Sequence, residues 1–181
     1  MPDLCPMLNR SPGVHVSHVI HDLCVKLNHY TPSDPEEQGA DRYTRFGLGS
    51  ALEHAIIERY SRTYPARYYQ IGECERDKLF GTPDLFDANE TAVHEMKLTW
   101  SSSRHEPDSQ KFVRYWWQLK AYCAMLNCTR GVLHVCFVNG DYKGDRSPIY
   151  RVWECEWTKE EIEMNWHGLL QHANELRGGA S

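Results

Sequence analysis

The chain has 181 residues, 41% of them hydrophobic and 25% charged, and a net charge of −5. That is enough for one soluble globular domain with a sizeable core. No run approaches the roughly 18 apolar residues of a membrane span, and the opening MPDLCPMLNRSPG lacks the pattern of a secretory leader, so a cytoplasmic protein without a membrane partner is expected. Seven cysteines, irregularly spaced and odd in number, argue against a disulfide framework and for reduced thiols.

In chain order, residues 1–40 combine an apolar stretch, VHVSHVIHDLCVKL, with NHYTPSDPEEQGAD, which is rich in turn formers and acids and reads as a loop. They are expected to form an N-terminal extension packed on a single domain spanning 1–181. Leu48, Leu52, Ala55, Ile56 and Tyr60 then recur at a helical period that Pro65 ends. YYQIGECERDKLFGTPDLFD reads as one or two strands, and a turn at ANE separates it from TAVHEMKLTW. TWSSSRHEPDSQ is a polar loop, KFVRYWWQLKAYCAMLN a second helix, GVLHVCFVNG a continuous apolar strand and IYRVWECEW an alternating one. Thr158 is placed to cap the last helix, with Glu161 completing a capping box and Gly178 stopping the helix. The order predicts an α/β protein with a central mixed β-sheet flanked by helices.

An acidic chain at first sight disfavours a nucleic-acid partner, but the charge is unevenly spread. Lys97 to Arg130 holds six basic residues against two acidic ones, whereas Glu154 to Glu175 holds six Glu against one Lys. One face can therefore be positive on an acidic protein, or the surface can simply be mixed and solvated.

The hairpin carries unusual charge for its position. With Asn89-Glu90 at the turn, Asp84 lies opposite Glu95, and Glu95 and Lys97 share a face because strands repeat every two residues. Two carboxylates that close repel unless a cation joins them. Mg²⁺ or Mn²⁺, hard ions that prefer oxygen and keep waters, suit the pair. The same residues can also make a surface hairpin with a cross-strand charge pair worth under about 1 kcal/mol.

Pro83-Asp84, ten residues, then Glu95-Met96-Lys97 resembles the signature of the PD-(D/E)XK nuclease superfamily. Two flanking features resemble its RecB-like branch, which includes phage exonucleases and CRISPR-adaptation nucleases. GSALEHAIIERY puts His54 and Glu58 four apart on one helix, and QLKAY puts Gln118 and Tyr122 four apart on another. The resemblance covers roughly residues 45–125 and implies a restriction-endonuclease-like core. It also implies a metal-dependent deoxyribonuclease, expected to be an exonuclease acting in phage or bacterial recombination, repair or replication.

By that resemblance Asp84, Glu95, His54 and the main-chain carbonyl of Met96 hold the metal, with Glu58 or Glu53 available to a second ion. Lys97 orients water and offsets charge on the phosphate, and Gln118 and Tyr122 position the substrate strand. Arg104, Lys111 and Arg114 flank the polar loop and are the expected DNA phosphate contacts. Trp116 or Trp117 could stack on bases, though residues adjacent in a helix point about 100° apart. Arg10 and Ser11 could also reach a phosphate. The CRISPR-adaptation relatives bind an iron–sulfur cluster through an early Cys and a C-terminal trio, whereas the tail here has only Cys155, so no cluster is expected. Ring-forming homo-oligomers, recombination or replication partners and monomers all share these motifs. A nuclease fold retained only to bind DNA, without catalysis, is the competing reading.

Overall fold

The computed structural model describes residues 11–29, 35–141, 144 and 147–178. A two-residue strand β1 (Val14–His15) leads into helix α1 (Val16–Lys26), and the long helix α2 spans Pro35–Thr63. Four short strands follow: β2 (Tyr68–Tyr69), β3 (Cys74–Arg76), β4 (Leu79–Gly81) and β5 (Leu85–Asp87). Then come β6 (Ala92–Thr99), α3 (Val113–Leu126), β7 (Arg130–Phe137), β8 (Ile149–Glu156) and α4 (Lys159–Gly178). No described helix is long and apolar enough to cross a membrane.

Five strands make the main sheet in the order β2-β5-β6-β7-β8. β5 and β6 form an antiparallel hairpin, and β6 pairs in parallel with β7 from Ala92↔Arg130 to Thr99↔Phe137. A parallel pair needs a long crossover, and α3 supplies it. β8 closes the sheet antiparallel to β7, and its alternating exposure marks an edge strand. The mixed α/β sheet flanked by helices is the architecture expected from the sequence.

Each face of the sheet buries its own cluster. Val93, Leu133, Val135 and Phe137 pack against Leu119 and Cys123 of α3, Val19 and Ile20 of α1, and Ile162 and Trp166 of α4. On the other face Leu85 and Met96 meet Ile57 of α2 and Tyr68. Thr158 and Glu161 start α4 as a reciprocal capping box, with Glu161 N–H donating to Thr158 Oγ1 at 3.1 Å and Thr158 N–H to Glu161 Oε2 at 2.8 Å.

Three expectations change. Helix α2 begins at Pro35, inside the expected loop, where proline's fixed φ suits a first helical turn. Its buried face runs through Ile57, while Leu48 and Ala55 of the expected apolar stripe are exposed. The segment read as one or two strands makes four, divided between two sheets. β3 and β4 form a hairpin in a small sheet ordered β1-β4-β3, turning at Asp77 and Lys78, which both have positive φ (51° and 62°). Such a turn usually carries Asn-Gly or Asp-Gly, so Asp-Lys gave no turn signal.

Candidate active site

The β5–β6 hairpin places the carboxylates, and Asp87 anchors it. Asp87 Oδ1 accepts from the N–H groups of Asn89 (3.0 Å) and Glu90 (3.2 Å), while Arg67 grips the same carboxylate with Nε at 2.9 Å and Nη2 at 2.7 Å. Burial alone would raise the Asp87 pKa, but these hydrogen bonds outweigh it and hold the carboxyl below its usual range. The register that results, Leu85↔His94, sets Asp84 across from Glu95. Asp84 Oδ2 also accepts from the Met96 N–H at 2.6 Å, which ties the carboxylate to the strand opposite.

Asp84 is 8% exposed and Glu95 only 1%. Glu95 Oε1 is ion-paired with Lys97 Nζ, whereas Glu95 Oε2 is buried with no hydrogen-bond partner. Burial raises the pKa of Asp84 against the pull of Lys97; burial and then the neighbouring Asp84 push Glu95 well above its usual value. Burial works against a charged Lys97, yet Glu95 and Asp84 overcome it and raise the ammonium's pKa. One cation thus serves two buried carboxylates, which leaves the cluster an excess of negative charge.

Helix α3 roofs this cluster. Gln118 Nε2 donates to Tyr122 Oη at 2.8 Å, and burial followed by the nearby Glu95 raises the Tyr122 pKa, so the phenol stays protonated. Close approach of α3 depends on Gly81 in β4. A Cβ there would stand 2.7 Å from the Tyr122 ring and 2.9 Å from Met125 Sδ. Nothing in the sequence pattern around Gly81 pointed to this contact.

Helix α2 contributes a different residue from the one expected. Gly49, Glu53 and Ile57 lie on its sheet-facing side, and Glu53 comes within hydrogen-bonding reach of Asp84. His54 is one residue further round the helix and exposed, and Glu58 is exposed and pairs with Arg62 at 2.6 Å. The structure therefore gathers Glu53, Asp84 and Glu95, with Lys97, Gln118 and Tyr122 beside them, and leaves His54 and Glu58 outside the cluster.

Among the described residues no three His, Cys, Asp or Glu side chains stand at the spacing of a preformed ion cage. The donor set nevertheless fits a hard divalent ion of the Mg²⁺ type, which takes one or two carboxylates and keeps its waters. The unpartnered Glu95 Oε2, beside Asp84 and an excess of negative charge, is the observation behind that fit.

Beyond Lys97 the loop after β6 and the start of α3 enclose an open cavity of about 400 Å³. Of the three residues expected to contact phosphate, Lys111 and Arg114 line it, whereas Arg104 does not and pairs with Asp141 at 3.1 Å. Trp117 is half-buried with its ring 5.8 Å from that of His29, and Trp116 Nε1 donates to the Pro107 carbonyl at 2.6 Å, so both indoles are engaged in packing. Arg10 lies outside the described residues, while the Ser11 N–H donates to Glu73 Oε2 at 3.1 Å.

Behind the cluster, on the opposite face of β6, two buried histidines stack with ring centroids 5.0 Å apart. His94 Nδ1 and His134 Nε2 share a hydrogen bond of 2.8 Å, and His134 Nδ1 bonds Tyr150 Oη at 2.6 Å. Burial lowers their pKa values to about 4 for His94 and about 3 for His134, so both rings are neutral near pH 7.

No protein-family model and no curated protein matches this sequence. Solved structures do. That of SSO0001 aligns with a TM-score of 0.58 at 12% identity, over 92% of this chain and 78% of its own. A phage-related exonuclease from Haemophilus somnus 129PT aligns with a TM-score of 0.50 at 14% identity, over 92% of this chain and 83% of its own. An alkaline exonuclease from Laribacter hongkongensis aligns at 0.47 and 14%, over 93% of each chain. At such identities the likeness speaks to architecture alone: the chain shares the mixed α/β fold of the first two of these structures, and Asp84, Glu95 and Lys97 come together at its central hairpin.

Proposed function

We propose that this protein is a Mg²⁺- or Mn²⁺-dependent deoxyribonuclease of the RecB-like type that hydrolyses phosphodiester bonds from DNA ends. The observation that carries the reading is the buried Asp84–Glu95–Lys97 cluster with one carboxylate oxygen left without a partner. Burying two carboxylates beside each other is costly, and a fold with no use for them would be more stable with apolar residues there.

When bound, a divalent ion supplies a water more acidic than bulk water and offsets charge on the phosphate. Asp84, Glu95 and the Met96 carbonyl are the donors proposed to hold it, with Glu53 in the place the sequence resemblance gave to His54. Lys97 keeps its ammonium charged and can turn from Glu95 toward the anionic phosphate. Tyr122 stays a neutral hydroxyl, its oxygen held by Gln118, and so donates its proton to the substrate strand without adding charge. Phage or bacterial recombination, repair or replication in the cytoplasm is the setting this activity suits.

The test is cleavage of end-labelled single- and double-stranded DNA and of a closed circle, with Mg²⁺, with Mn²⁺ and with chelator. Wild type runs beside Asp84→Ala and Lys97→Ala. Metal-dependent cleavage lost in both variants, with the circle spared, is the expected result. DNA binding without cleavage in wild type would replace this reading with a binding module on a nuclease fold.

A further inference from the structure

Strand β8 is an outer edge of the main sheet, and no described strand pairs with its far side. It is 8 residues long and keeps an unbroken register with β7 from Arg130↔Glu156 to Phe137↔Ile149. An edge of this kind offers a row of backbone N–H and C=O groups to another strand, and proteins blunt such edges with proline, lysine or bulges. IYRVWECE contains neither proline nor lysine, and its pairing with β7 has no bulge. Helix α2 packs over β2 and β6, and on the same face of the sheet it leaves Tyr150 and Val152 of β8 45% and 43% exposed. The Tyr150 hydroxyl lies 2.6 Å from His134 Nδ1, so this ring is held in place before any partner arrives.

The charges of β8 let the strand complement itself. Arg151 stands in its first half, and Glu154 and Glu156 stand in its second. Arg130 of β7 compensates the acidic half, lying 3.8 Å from Glu154 and across from Glu156 in the register. When two identical strands pair antiparallel, one residue faces its own copy, and residues directly opposite share a face of the sheet. A dyad at Arg151 would set Arg against Arg, one at Glu154 Glu against Glu, and one at Cys155 Glu154 against Glu156. A dyad at Trp153 would set Val152 and Tyr150 against glutamates. With the dyad at Val152, no two like charges stand opposite. Val152 then meets its own copy, Arg151 meets the partner's Trp153, Tyr150 the partner's Glu154, and Ile149 the partner's Cys155. A β-branched pair and an arginine beside an indole are both favourable cross-strand neighbours.

We infer that two copies of this chain form a two-fold dimer by antiparallel pairing of β8 with β8, centred on Val152. The pairing joins two five-stranded sheets into one and removes the exposed edge of each. A single strand pair is a small interface, below the standard size of about 800 Å² per partner, so the dimer is in exchange with monomer. The carboxylate cluster takes no part in it, and the dimer is independent of the proposed cleavage.

Sedimentation velocity on the full chain, from about 1 to about 200 µM, tests the pairing. Wild type shows a monomer–dimer equilibrium within that range. Val152→Lys sets two ammonium groups opposite each other and raises the dissociation constant at least about tenfold. Val152→Glu, which sets two carboxylates there, does the same. An equimolar mixture of the Val152→Lys and Val152→Glu proteins restores the dimer, because position 152 of one copy faces position 152 of the other. Met164→Lys, at a 72% exposed site on α4, leaves the equilibrium of wild type unchanged. A dimer that survives both Val152 substitutions, or a mixture that stays monomeric, overturns the inference. Wild type still monomeric at about 200 µM also overturns it and leaves the β8 edge to a strand of a different protein.

Discussion

Acidification should weaken this protein through the His94–His134 pair. Both rings are buried, at 6% and 2% exposure, and their folded pKa values of about 4 and about 3 lie below the ordinary 6.5. Between those limits the unfolded chain binds protons that the folded chain does not, so stability rises with pH. The contribution is fully present above about pH 6.5 and is lost as pH falls toward the folded values. At pH 5 each ring would gain about 2 kcal/mol by unfolding and protonating, or about 4 kcal/mol for the pair. Asp84 and Glu95 act oppositely, because carboxyls whose pKa is raised on folding favour the folded state as pH falls. The measurement is therefore a difference: urea unfolding at pH 7, 6 and 5 of wild type and of His94→Gln, His134→Gln. The carboxylates lie on the other face of β6 and cancel, so the wild type should lose about 4 kcal/mol more than the double variant between pH 7 and 5. Equal slopes, or a steeper slope in the variant, would refute the buried neutral pair.

The charge cluster makes a second prediction: Lys97→Met leaves two buried carboxylates without a cation and should cost about 3 kcal/mol at pH 8, and less as the pH falls and they protonate, by differential scanning calorimetry. Mn²⁺ should raise the melting temperature of wild type, and Glu95→Gln should abolish that shift. On α2, Glu53→Gln should weaken Mn²⁺ binding in isothermal titration while His54→Ala leaves it within twofold; the reverse order would restore His54 as the ligand. Gly81→Ala drives a methyl group against the Tyr122 ring and should cost about 1–3 kcal/mol in urea unfolding. Its cleavage rate should fall further than the folded fraction does, because Tyr122 moves.

Relations within one element, or across one tight turn, were legible from the residues. Asp84 facing Glu95 follows from the period of two and a short turn, the Gln118–Tyr122 pair from the period of a helix, and the Thr158–Glu161 box from a three-residue spacing. What the chain pattern left open was rotation and partnership between distant segments. The described part of α2 is polar around most of its circumference, so Leu48 and Ala55 looked as good a buried stripe as Ile57, and only packing on Leu85 and Met96 selected the face that carries Glu53. The two histidines are 40 residues apart and meet only through the parallel register of β6 and β7. Lys111 and Arg114 were separated from Arg104 in the same way, by the fold of the loop that turned one toward Asp141 and the others into the cavity. Local spacing is determined by backbone geometry, which the sequence carries everywhere; the choice of buried face depends on the area each orientation removes from water, which exists only once the whole chain has packed.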